Sequence, residues 1–116
     1  MLVKKMTVFE QTLLNEYYRS LNLIKSMESS LSNLPKGSLQ RKLISGKEYW
    51  YLMYREGDKV RSTYVPEKQV DELSGKLKLR KDQIVKIREE KKTAKQIEKA
   101  LGRDFIKRNL PEEDIQ

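Results

Sequence analysis

The apolar residues of the first third of the chain, Leu13, Leu14, Tyr17, Leu21, Ile24, Met27, Leu31 and Leu34, recur at steps of three and four with polar residues between them. That spacing predicts an amphipathic helix. Thr7 and Glu10 stand at the separation of a capping box just before it, and "LPKG" closes the run, so the helix is expected over residues 8 to 33. Its last turns, "SMESSLSN", are weak in helix propensity because short hydroxyl side chains compete for the backbone hydrogen bonds. From Leu39 the period changes to two, and Ser45 with Gly46 and Gly57 with Asp58 supply hairpin turns. A three-stranded antiparallel meander is expected over residues 39 to 44, 47 to 55 and 59 to 65, rich in the Tyr, Trp, Val, Ile and Thr that favour strands.

Two-residue turns set the faces of those strands through the pleat. One face carries Leu39, Arg41, Leu43, Trp50, Leu52, Tyr54, Arg61, Thr63 and Val65, and its large apolar members read as a core face. The other carries Lys42, Tyr49, Tyr51, Met53, Arg55, Val60, Ser62 and Tyr64. It is too polar for a core and too aromatic for an idle surface.

Pro66 suits the first turn of a second helix, where its missing amide is no loss. Val70, Leu73, Leu77, Arg80, Ile84, Ile87, Lys91, Ala94, Glu98 and Leu101 then follow a heptad register, predicting a helix over residues 67 to 101 that Gly102 ends. Leu14, Tyr17, Leu21 and Ile24 match Val70, Leu73, Leu77, Ile84 and Ile87 in spacing, so the two helices are expected to pair with each other, or to form the seam of a homodimer. The fold class is α+β: two long helices, an antiparallel coiled-coil-like pair, flank the meander. The whole chain, 1–116, reads as a single domain made of helix 1 (1–35), the sheet (36–66), helix 2 (67–101), and a short helical turn with an acidic tail, "PEEDIQ" (102–116).

Composition narrows the chemistry. Cys and His are both absent from the 116 residues, which removes disulfides, thiolate nucleophiles, thiolate zinc sites and the commonest general base. Glu48, Glu56 and Asp58 are scattered near turns, and "GKEYW" lacks the first Gly and the Ser or Thr of a phosphate-binding loop. A non-enzyme with no cofactor and no metal is expected. The start, "MLVKKMTVFEQ", has no apolar run of signal-peptide length and nowhere do 18 uncharged apolar residues follow one another, so the chain reads as cytoplasmic, without a membrane partner.

The net charge of +8 is concentrated in the middle: residues 36–66 hold seven basic against three acidic residues, and 67–101 hold eleven against seven. Such an excess favours polyanions through counterion release. Aromatic faces stack on bases and cations take phosphates, so Lys42, Lys47, Tyr49, Tyr51, Arg55, Arg61 and Tyr64 of the sheet, with Lys78, Arg80 and Lys81 of "KLKLRK", are the candidate nucleic-acid contacts. DNA or RNA binding in a mobile-element or phage setting is the leading expectation. The alternative is a protein-interaction module, either a homodimeric adaptor or a small inhibitor of another protein such as an anti-CRISPR.

The block "PKGSLQRKLISGKEYWYLMYREGDKVRSTYV", set between helical segments, resembles an uncharacterised family of small bacterial and archaeal proteins. The resemblance rests on Gly37, Ser38, Leu39, Gly46, Tyr49, Tyr51, Gly57, Lys59, Val60, Ser62, Tyr64 and Val65, and it implies the hairpins but no activity. In a looser way the block is similar to the three-stranded arm domains of phage integrases, a likeness that implies a sheet entering the DNA major groove.

Overall fold

A computed structural model describes residues 6–109 and orders the elements as α1 (Val8–Leu31), β1 (Ser38–Ile44), β2 (Lys47–Glu56), β3 (Lys59–Val65), α2 (Glu67–Leu101) and α3 (Arg103–Arg108). It is an α+β arrangement of helices flanking a three-stranded antiparallel sheet in the order β1-β2-β3. The capping box forms as its spacing requires: the Thr7 amide donates to Glu10 Oε1 at 2.9 Å and the Glu10 amide to Thr7 Oγ1 at 3.1 Å. Helix α1 stops at Leu31, two residues before the expected end, where the Ser32 hydroxyl turns back to the Ser29 carbonyl at 2.7 Å. The acidic tail "PEEDIQ" lies outside the described residues.

Two compact units divide the chain, one made of residues up to Glu28 and from Lys86 onward, the other of Ser29–Val85. In the first, α1 and α2 run antiparallel, since Tyr17 reaches Glu98 while Glu28 reaches Lys91. Leu14, Tyr17, Ala94, Ile97 and Ile106 form its core, with Leu13, Leu101 and Phe105 packed at the margin. The buried positions depart from the expected stripe in a consistent way. Leu21, assigned to the helix-pairing set, is 38% exposed, and Ser20 takes the inward place at 0%. On α2, Ile97 is buried instead of Glu98, and the exposed Lys91 gives way to the half-buried Glu90. After Ile87 the inward residues are therefore 90, 94, 97 and 101: Ala94 and Leu101 keep their heptad places, while 90 and 97 stand in for 91 and 98.

The inward Ser20 needs a partner to be tolerated, and it has two: its hydroxyl donates to Glu90 Oε2 at 2.6 Å and lies 3.1 Å from the Glu90 carbonyl. Helix α3 is tied back by the Tyr18 hydroxyl, which donates to the Asn109 carbonyl.

In the second unit both hairpins have the expected two-residue turns. Ser45 and Gly46 take positive φ of 51° and 82°, the pattern of a type I′ turn, and Gly57 at 64° opens the other. The register places Ile44 opposite Lys47 and Glu56 opposite Lys59. Both sheet faces therefore carry the residues the sequence assigns to them. Burial on the Leu39 face is confined to one end: Val65 is 5% exposed and Leu39, Trp50 and Leu52 are half-buried, whereas Leu43, expected in the core, is 72% exposed. Leu43 sits opposite Glu48 beside the turn, beyond the covered end. Among the helix-pairing residues of this unit, Leu77 is buried and Val70, Leu73 and Ile84 are half-buried.

Candidate functional site

The strand register separates charge between the two sheet faces. The strands hold two acids, Glu48 and Glu56, and both lie on the Leu39 face, where they pair with Arg41 at 3.3 Å and Arg61 at 3.7 Å. The opposite face holds Lys42, Lys47, Arg55, Tyr49, Tyr51 and Tyr64 and no acid. Among the described residues, none of its three cations is in an ion pair. Opposite strand charges usually neutralise one another across a sheet, and here they do so on one face only.

The three tyrosines form one cluster. Tyr51 and Tyr64 face each other across β2 and β3 with centroids 5.9 Å apart at 69°, and Tyr49 meets Tyr64 at 6.3 Å and 63°. Edge-to-face contacts of this kind add about 0.5–1.5 kcal/mol beyond area burial and hold the rings in place. Lys42 folds over them, with Nζ 4.8 Å from the Tyr51 centroid and 3.4 Å from Ser62 Oγ. One face of Tyr51 is thus already covered by an ammonium, while Tyr64 is 53% exposed. Ile44 and Val60, 44% and 61% exposed, extend the same face toward the two turns. The sequence assigns Val60 to this face, and the same turn length places Ile44 there.

The remaining candidates separate. Arg61 is on the other face, committed to Glu56. Arg80 is turned to the main chain: its Nη1 donates to the Leu31 carbonyl at 2.8 Å and the Leu34 carbonyl at 3.3 Å. The exposed carbonyls at the end of α1 carry partial negative charge, and a half-buried guanidinium is their best partner. Lys78 and Lys81 flank Arg80, are exposed, and line an open pocket with Gly37, Ser38, Leu39, Ser74 and Leu77.

The helical unit has a pocket of its own, lined by Tyr17, Glu98, Arg103, Ile106 and Lys107. The Tyr17 hydroxyl donates to Glu98 Oε1 at 2.8 Å. Burial, reinforced by that hydrogen bond and the carboxylate's charge, pushes the Tyr17 phenol from 10.0 up to about 12. A phenol that ionises less readily in the fold than in the unfolded chain contributes stability that is complete below pH 10 and lost as pH rises toward 12. The loss should amount to roughly 2–3 kcal/mol. Urea midpoints of the wild type and Tyr17→Phe, compared on either side of that window, should converge at the alkaline end. Parallel pH profiles would show that Tyr17 is not the titrating group.

Among the described residues, no cluster of acidic side chains could hold a metal ion and no helix is long and apolar enough to cross a membrane. No curated protein and no solved structure matches the chain significantly. A family described as a domain of unknown function, DUF6788, matches residues 11–75, a stretch that holds most of α1, the whole sheet with its tyrosine face, and the start of α2. That stretch is more than half of the sequence, and the chain belongs to the DUF6788 family.

Proposed function

We propose that this chain is a non-enzymatic nucleic-acid-binding protein whose contact surface is the tyrosine face of the sheet. The observation that carries the reading is the segregation of charge: three tyrosines and three unpaired cations share one face from which both strand acids are absent. Lys42 and Lys47 lie toward one end of that face and Arg55 at the other, so they can meet separate phosphates of one strand, and the tyrosine rings offer bases a stacking platform that tolerates any sequence. Because Lys42 covers Tyr51 and leaves Tyr64 open, Tyr64 is the principal stacking residue. The hairpin block from Gly37 to Val65 is, on the same reading, the signature of the family, since it contains the turn glycines and the tyrosines together.

Fluorescence anisotropy of mixed-sequence oligonucleotides tests this. Three phosphate contacts predict a log-log salt slope of about −3 on duplex, and Arg55→Ala should reduce it by about one. Tyr64→Ala should cost about 1–3 kcal/mol on single strands and more than Tyr51→Ala does. Absence of binding by the folded wild type at about 50 mM salt would reject the reading. It would also bring the protein-partner alternative forward.

A further inference from the structure

We propose that the pocket between the start of β1 and the first half of α2 is a seat for a phosphoryl group. Its volume is about 270 Å³. Helix α2 supplies Ser74, Leu77, Lys78 and Lys81, which at i, i+3, i+4 and i+7 share one side of the helix. Facing them are Gly37, Ser38 and Leu39 at the entry to β1. Two lysines and two serines, residues with donor groups, are among those that line the pocket, and no acid is. Among the described residues, neither Lys78 nor Lys81 is in an ion pair, although Lys76 nearby is held by Glu72 at 3.2 Å. A tetrahedral oxyanion with several acceptor oxygens matches that donor set, and a charge of −2 balances the two lysines. Leu39 and the buried Leu77 supply an apolar wall for the carbon skeleton that carries the phosphate.

The pocket contains none of the tyrosines or cations of the tyrosine face, so the inference stands whether or not that face binds nucleic acid. Two sources can present the group, a small phosphorylated molecule or the phosphates of a nucleic acid. Amide-resolved NMR of the intact chain, titrated with inorganic phosphate against chloride at matched ionic strength, is the test. Saturable shifts are expected at Gly37, Ser38 and Ser74, weakened roughly tenfold or more in a Lys78→Ala/Lys81→Ala variant and retained in the double arginine variant. Both lysines are exposed, so the variant should keep the wild-type melting curve. Absence of saturable shifts, or shifts that the double alanine variant leaves unchanged, would overturn the site. Competition then assigns the source: displacement of phosphate by adenosine monophosphate but not by an oligonucleotide identifies a small molecule, and the reverse identifies nucleic acid.

Discussion

Ile97→Asp should destabilise the helical unit by about 3–5 kcal/mol, a large part of the stability of a small domain. Ile97 is 5% exposed among Leu14, Tyr17, Ala94 and Ile106. An aspartate there would be dehydrated without a cation to pair with and would sit next in sequence to Glu98. The informative companion is Leu21→Asp. A strict heptad reading places Leu21 inside and Ile97 outside, whereas the fold exposes Leu21 and buries Ile97, so the second substitution should cost no more than about 1 kcal/mol. Urea denaturation of the two variants decides the register. Equal costs, or a larger cost at Leu21, would contradict the packing described here.

Gly37→Ala is expected to be nearly as damaging, for a backbone reason. At φ 119° the residue is in a region that side chains rarely occupy, and a Cβ built there would lie 2.3 Å from the Met53 carbonyl oxygen. That oxygen belongs to the main chain of a central strand and cannot rotate away. The β1 entry would have to separate from β2 near the Ser38–Met53 pair, at a cost of several kcal/mol. Gly46→Ala is the control: its φ of 82° is also positive, but nothing lies within 4 Å of the added methyl, so only the conformational strain of about 1–2 kcal/mol remains. Thermal melts should therefore rank wild type, Gly46→Ala and Gly37→Ala in falling order. A Gly37→Ala protein as stable as Gly46→Ala would mean that the strands do not approach so closely.

Local chemistry alone determined the elements of this protein. The Thr7 and Glu10 capping box, the two-residue turns and Pro66 are signals carried by neighbouring residues, and they place α1, the meander and α2 to within about two residues. The pleat then assigns every strand side chain to a face, which is why the tyrosine face with Lys42, Lys47 and Arg55 is legible in the sequence. Tertiary packing decided the rest. A sequence stripe three to four residues apart cannot distinguish Leu21 from Ser20 or Glu98 from Ile97, because a partner helix selects among adjacent positions by shape and by the hydrogen bonds it offers, as Glu90 does to Ser20. Arg80 lies in a basic run whose lysines remain exposed, and only the fold brings the Leu31 and Leu34 carbonyls to its guanidinium. The pocket at Lys78 and Lys81 is likewise tertiary: it joins residues nearly forty positions apart, and no pattern within either segment announces the other.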